Sequence, residues 1–160
     1  MEKISVIFCL AAVIGLLIGV LLAAGAVMMV IKGHNQCTKK VIKYYFILNE
    51  WLALRQKNET VVKFFEKNNY KTVAIYGLKE LGERLIEELE GSGITVVCVV
   101  DQNRIKMVKN IQVLSPTDKI PDVDVMVVTA SFYFNQIKAK MKDKVSGDIV
   151  SIDDVIYSKY

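Results

Sequence analysis

The sequence predicts an α/β domain with a small parallel sheet, preceded by one transmembrane helix. Residues 4–31 run for 28 positions without a charged side chain, which is long enough to cross a bilayer. From residue 70 onward, short apolar runs alternate with segments of helical periodicity, as expected of parallel strands buried between helices. A glycine pattern at the first strand-to-helix turn indicates where a ligand would bind.

The N-terminal apolar stretch predicts a membrane anchor over residues 1–31. A helix of this length extends about 42 Å, and it crosses a hydrocarbon core of about 30 Å with some tilt. Ala24-Gly25-Ala26 offers a signal-peptide cleavage site as an alternative. The apolar run continues through Ile31, however, and is too long for a signal peptide.

Charged residues beyond the stretch predict its orientation. Four lysines precede the next acidic residue, Glu50: Lys32, Lys39, Lys40 and Lys43. The positive-inside rule therefore places the rest of the chain in the cytoplasm of a cell-membrane protein.

The net charge of +4 is concentrated near the membrane. Residues 32–67 carry eight basic and three acidic residues (+5), whereas residues 68–160 carry twelve basic and thirteen acidic ones (−1). Attraction to anionic lipid explains such a juxtamembrane excess, so no nucleic-acid partner is expected.

Small residues recur at every fourth position of the anchor: Ala11, Gly15, Gly19 and Ala23. Such a stripe lets two helices approach closely, which predicts a homodimer or a membrane-protein partner. The alternative is that these residues face lipid.

Residues 32–68 predict a basic, helical juxtamembrane linker. Between residues 41 and 54, Tyr, Trp and Leu side chains form a broad apolar surface interrupted by Lys and Arg. This surface is suited to the membrane interface, where Trp and Tyr are favoured, and equally to packing on the following domain.

Residues 69–160 are predicted to form the α/β domain. The predicted strands are residues 72–76, 94–100, 111–114, 123–129 and 148–152, and the predicted helices are residues 78–90, 134–145 and 153–160. Residues 104–110 are predicted to be a charged connection. In the first helix, Glu83, Glu87, Glu88 and Glu90 are assigned to the solvent face. The alternation predicts the strand order 3-2-1-4-5, with the turn after Gly77 at the switch point.

The segment Gly77-Leu78-Lys79-Glu80-Leu81-Gly82 occupies the place of a G-x-G-x-x-G motif. It follows a strand and opens a helix, as that dinucleotide-binding motif requires. Gly77 permits the tight turn, and Gly82 permits close packing of helix on strand. Asp101 ends the second strand, where an acid accepts hydrogen bonds from ribose hydroxyls.

Lys79 replaces the middle glycine of this motif. A side chain at this position crowds the pyrophosphate, but the lysine charge can also attract phosphate near a helix N-terminus. Glu80 opposes that attraction. The alternative to a binding role is that Gly77 and Gly82 only build the turn.

The stretches Ile75-Tyr76-Gly77, Glu80-Leu81-Gly82 and Val99-Val100-Asp101-Gln102-Asn103 together resemble the pattern I-Y-G-x-G-E-x-G…D-x-N. That pattern recurs in Rossmann-like domains of bacterial polysaccharide and sugar-nucleotide proteins, such as the N-terminal domain of membrane-bound nucleotide-sugar dehydratases. The resemblance covers residues 45–157 and implies a Rossmann-like fold that binds NAD(P) or a nucleotide sugar. The Ser/Thr-Tyr-Lys catalytic domain of these enzymes has no counterpart in the sequence.

The expected function is a membrane-anchored nucleotide- or nucleotide-sugar-binding accessory module for surface polysaccharide assembly. The candidate binding residues are Gly77, Leu78, Lys79, Glu80, Gly82 and Asp101, with Thr129, Ala130 and Ser131 completing the crevice. The alternative is a scaffold whose degenerate domain binds a protein partner.

No catalytic residues are predicted. The only histidine, His34, adjoins the membrane, and the three cysteines show neither disulfide nor metal-site spacing. Asp118, Asp122 and Asp124 are assigned to turns rather than to a metal, and Ser131 is assigned as a helix N-cap.

Overall fold

A computed structural model describes residues 2–103 and 107–158, with side chains from residue 14 onward. The chain divides into two compact units, residues 1–43 and 44–160. The helix α1 (Glu2–Gln56) contributes residues to both units.

The first unit is part of α1, and its described side chains, from residue 14 onward, are mostly exposed. The candidate membrane span, Ile14–Gln56, has a mean hydropathy of 2.7 in its most apolar window, and none of that window is buried. Among the described residues, α1 is thus the one helix able to cross a membrane by length and composition.

The second unit is an α/β domain, which confirms the predicted fold class. After α1 its helices and strands are α2 (Val62–Lys67), β1 (Thr72–Tyr76), α3 (Glu80–Leu89), β2 (Thr95–Val100), β3 (Met107–Val108), β4 (Ile111–Leu114), β5 (Val125–Val128), a 3-10 turn (Ser131–Tyr133), α4 (Phe134–Met141), β6 (Asp148–Ser151) and α5 (Ile152–Ile156). The strands are rich in Val and Ile, whose branched side chains favour a buried pleated sheet.

The six strands are arranged in the order β3-β4-β2-β1-β5-β6. The predicted five-strand order 3-2-1-4-5 is therefore wrong, because the segment 104–110 was predicted to be a connection and contains β3. This two-residue strand pairs antiparallel with β4 at the edge of the sheet. Each later strand is therefore numbered one higher than in the prediction. All other pairs in the sheet are parallel.

Two apolar cores cover the two faces of the sheet. On one face, residues of α1, α2, α3 and α5 pack against strand residues such as Ile75 and Val127. On the other face, α4 and the segment before β5 pack against residues such as Met126 and Val128. The last turns of α1 thus belong to the domain core, since Ile47 is fully buried.

The strand register aligns the carboxyl ends of three adjacent strands. Tyr76, the last residue of β1, pairs with Val100 of β2 and with Val128 of β5. The loops that follow these strands therefore begin side by side at one edge of the sheet. From this edge, β1 continues through α3 to β2 and β5 continues through α4 to β6, so the two connections diverge.

Candidate functional site

The turn after β1 is held in a conformation that favours glycine. Gly77 has φ of +104°, and a Cβ added there would lie 2.7 Å from Thr129 Oγ1. The Gly77 N–H donates to the Val100 carbonyl at 2.8 Å, which joins the turn to the end of β2. Gly77 therefore has both a conformational and a steric reason to lack a side chain.

Asp101 connects the loops that follow β1 and β2. Its Oδ2 accepts the Leu78 N–H at 2.6 Å, and its Oδ1 accepts the Asn103 N–H at 2.8 Å. The carboxylate thus lies beside the opening of α3 and remains partly exposed. A carboxylate oxygen accepts more than one hydrogen bond, so these contacts leave Asp101 able to accept from a ligand hydroxyl.

Thr129 and Gly82 close the other sides of the turn. The Thr129 hydroxyl donates to the carbonyls of Tyr76 and Gly77, at 3.0 and 2.9 Å, and its side chain is buried. A Cβ at Gly82 would lie 2.1 Å from the Gly77 carbonyl oxygen, so the first turn of α3 lies directly against the β1 turn.

The opening of α3 offers backbone donors and a cation. Lys79 is the N-cap residue, and its side chain forms no capping hydrogen bond. The first N–H groups of a helix have no partner within the helix, and they favour anions. Lys79 and Glu80 are both exposed, so charges of opposite sign flank these donors.

Ser131 departs from its predicted role. The 3-10 turn is capped by Ala130 without a side-chain hydrogen bond, and the Ser131 hydroxyl donates to the Asp153 carboxylate instead. The N-cap assignment is therefore wrong. The serine that does cap a helix is Ser151, which forms a capping box with Asp154 at α5.

The structure therefore brings Gly77, Leu78, Asp101 and Thr129 together, with Gly82 directly behind them and Lys79 at the rim. Two contributors were missed. Tyr76 is buried at the end of β1, burial raises the pKa of its hydroxyl, and a hydrogen bond with Gln102 partly opposes that rise. Tyr76 ends β1 and Gln102 follows β2, so this contact cannot be derived from either segment alone.

Nothing in the described part of the chain resembles a metal centre. Asp118 accepts the Ser115 N–H at 2.8 Å within its own turn. Asp124 accepts hydrogen bonds from the N–H groups of Lys71 and Thr72, both at 2.7 Å, at the amino ends of β1 and β5. Both side chains therefore organise loops. Burial raises the pKa of the Cys98 thiol to about 11, which makes it a poor nucleophile at neutral pH.

Comparison of the chain with protein-family models, with characterised protein sequences and with solved structures found no match.

Proposed function

We propose that this chain is a membrane-anchored nucleotide-binding accessory module. Its Rossmann-like domain would hold NAD(P) or a nucleotide sugar where the loops after β1, β2 and β5 meet. One observation carries the proposal: the Asp101 carboxylate lies 2.6 Å from the Leu78 N–H, beside the amino end of α3. An acceptor suited to ribose hydroxyls thus adjoins donors suited to phosphate.

The fold around these groups supports this location. In open parallel sheets, ligands bind beyond the carboxyl ends of the strands, at the point where successive connections diverge. Gly77 and Thr129 directly follow the two strands, β1 and β5, between which the connections diverge here. Thr129 and Ala130 would form the wall opposite Asp101, with Ser131 behind them.

Lys79 would contact the phosphate groups. Its side chain is exposed and starts at the N-cap of α3, so its ammonium group and the helix N–H donors can approach the same anion. Glu80 would weaken this attraction, and weak rather than tight binding is expected.

The cellular role follows from the sequence resemblance and from α1. The I-Y-G and D-Q-N segments resemble domains of bacterial polysaccharide proteins, and the lysines after residue 31 favour a cytoplasmic domain. We therefore propose a role in surface polysaccharide assembly, on the cytoplasmic side of the cell membrane. Helix pairing through Ala11, Gly15, Gly19 and Ala23 would recruit a membrane partner or a second copy.

A second candidate function is a scaffold that binds no nucleotide. One observation favours it: Gly77, Gly82, Asp101 and Thr129 all have structural tasks in the free chain. If these residues only build the turn, the domain acts through protein contacts alone.

Calorimetry on the detergent-solubilised full chain separates the two candidates. NAD, NADP, UDP and a UDP-sugar are titrated in turn into the wild type and into Asp101→Asn. We expect one of the four to bind and Asp101→Asn to weaken it by about tenfold, the typical effect of losing a hydrogen bond to a charged group. Asp124→Asn is the matched control, because it also removes a loop carboxylate but at the amino ends of the strands, away from the proposed site.

Lys79→Gly supplies a second test. Loss of the charge would weaken binding if Lys79 contacts phosphate, and would tighten binding if its side chain only crowds the pyrophosphate. Absence of binding by all four compounds, in the wild type and in Lys79→Gly, would leave the scaffold as the better account.

A further inference from the structure

The wall of the proposed crevice, formed by Thr129 and Ala130, is a tight turn that follows β5. Ala130 has φ of −75° and ψ of 57°, and the Ser131 N–H donates to the Thr129 carbonyl at 2.8 Å. This geometry is that of an inverse γ-turn. A Cβ added to Gly77 would lie 3.6 Å from the Ala130 nitrogen, so the wall lies directly against the β1 turn. Any shift of the wall therefore changes the width of the crevice.

A carboxylate of α5 holds the far side of this wall. Asp153 Oδ2 accepts a hydrogen bond from the Ser131 hydroxyl and another from the Ser151 hydroxyl, the latter at 2.6 Å. Ser131 and Ser151 are only 3% and 5% exposed. Hydrogen bonds to an ionised acceptor are stronger than those between neutral groups, so the loop after β5 is tied firmly to the junction of β6 and α5.

The short helix α5 gives Asp153 a fixed position. Ser151 is the last residue of β6, pairs with Val128 at the end of β5, and caps α5. The Asp153 N–H donates back to the Ser151 hydroxyl at 3.3 Å. Ile152 and Val155, on either side of this carboxylate in the chain, are fully buried in the core. Because α5 begins directly after β6 and is anchored in the core, it can set the position of a neighbouring loop.

From these contacts we infer that Asp153 is a positioning residue of the proposed nucleotide site. It acts through Ser131 and holds the wall at a set distance from the β1 turn, while the Thr129 hydroxyl fixes the wall from the other side. A preorganised wall raises affinity because the ligand need not order it on binding. The inference rests on the proposed function, since the wall affects binding only if the crevice holds a ligand.

Hydrogen–deuterium exchange of the ligand-free full chain in detergent tests whether Asp153 holds the wall. Asp153→Ala should speed exchange in residues 129–133 by about tenfold, the effect of losing one hydrogen bond to a charged group. Asp154→Ala is the matched control, because it removes the neighbouring carboxylate of the same capping box, which accepts the Ser151 N–H instead. It should leave residues 129–133 at the wild-type rate. Equal exchange there in the two variants would overturn the inference.

Ser131→Ala supplies a second test that leaves the cap of α5 intact. It should speed exchange in residues 129–133 as Asp153→Ala does, even if the latter variant fails to fold. Wild-type exchange in Ser131→Ala would contradict the link between the loop and α5.

A double-mutant cycle on ligand affinity separates positioning from a general loss of stability. The probe is whichever of NAD, NADP, UDP or a UDP-sugar binds the wild type best. Ser131→Ala and Asp153→Ala should each weaken its binding by about tenfold, and the double variant should bind no more weakly than Asp153→Ala alone. Additive losses, or an equal loss in Asp154→Ala, would contradict the inference. If none of the four compounds binds, the proposed function fails, and the exchange comparison still decides whether Asp153 holds the wall.

Discussion

At the residue scale, the turn after β1 is specified mainly by contacts to backbone atoms. The Asp101 carboxylate accepts a hydrogen bond from the Leu78 N–H, and the Thr129 hydroxyl donates to two backbone carbonyls. Gly82 lies against the Gly77 carbonyl. Backbone atoms are the same whatever side chain they carry, so these contacts explain how Lys79 can replace a motif glycine without loss of the turn.

Gly82→Ala should destabilise the domain. The added Cβ would lie 2.1 Å from the Gly77 carbonyl oxygen. This oxygen belongs to the backbone of the β1 turn, so it cannot move away as the end of a flexible side chain could. We expect the free energy of unfolding, from urea denaturation, to fall by about 1–3 kcal/mol. The control is Gly33→Ala, also in a helix, where the new methyl group meets nothing within 4 Å. A Gly82→Ala variant as stable as this control would refute the close approach.

Asp124 should make stability depend on acid pH. Hydrogen bonds from Lys71 and Thr72 lower its pKa from the ordinary value of 3.8. Since the folded pKa is the lower one, the carboxylate stabilises the fold above about pH 4, and this contribution is lost as the pH falls through the folded pKa. Asp124→Asn should therefore melt below the wild type at pH 7, with a gap that narrows towards pH 3. Asp122→Asn, on the same exposed loop, serves as control; a gap independent of pH would contradict the assignment.

Residue roles were predictable where a local motif marks them. The turn at Gly77 and the close packing at Gly82 follow from a strand, a turn and a helix start, whereas the hydrogen bonds of Asp101 with the Leu78 and Asn103 N–H groups were not predicted. The role of Ser131 was not predictable, because its partner Asp153 lies 22 positions away. Its hydroxyl can reach either a helix N–H or that carboxylate, and only the tertiary structure decides between them.

At the element scale, Glu88 joins α1 to α3. The sequence pattern assigned it to the solvent face, but its side chain is only 9% exposed. It accepts the Trp51 Nε1–H at 2.5 Å and the Val61 N–H at 3.1 Å, and it lies 3.6 Å from Arg55. The helical periodicity of α3 alone cannot indicate this role, because the donors come from a helix and a turn far earlier in the chain.

Glu88→Ala should loosen the last turns of α1 from the domain. It leaves two partly buried donors without their acceptor, which costs about 1–3 kcal/mol of stability. Trp51 is the only tryptophan, so its fluorescence reports the contact directly. The control, Glu90→Ala, removes a 71% exposed side chain paired with Lys109 and should cost less than about 1 kcal/mol. Equal effects of the two substitutions would contradict the role of Glu88.

Strand β3 shows where prediction from element patterns fails. Met107–Val108 is too short to show an alternating pattern, and the turn that follows uses positive φ at Lys109 and Asn110. Longer apolar runs give a clearer signal: residues 123–129 were predicted to be a strand, and β5 lies within that range.

At the scale of the whole molecule, the chain combines a helix able to span a membrane with an α/β domain. The order of residues along the chain predicted both parts, because an uncharged run and an alternation of strand and helix patterns each extend over many residues. The ligand was not predictable in the same way, since Lys79 stands in the place of the middle glycine of the motif.

The predicted topology places residues 32–160 in the cytoplasm. The lysines that follow residue 31 support it through the positive-inside rule. A C-terminal reporter that folds only in the cytoplasm should be active, and one that is active only outside should be silent. The intact chain should retain its N-terminus. The reverse reporter pattern, or a mature chain beginning near Val27, would contradict this topology.

Hydrogen–deuterium exchange of the full chain, with and without whichever of NAD, NADP, UDP or a UDP-sugar binds best, tests the nucleotide site most directly. The proposed site predicts slower exchange in residues 77–82, 101–103 and 129–131 when the ligand is present. Residues 45–56 and 84–88, where the end of α1 contacts the second half of α3, should exchange at unchanged rates. Unchanged exchange in residues 77–82, 101–103 and 129–131, or protection confined to residues 45–56 and 84–88, would contradict the account.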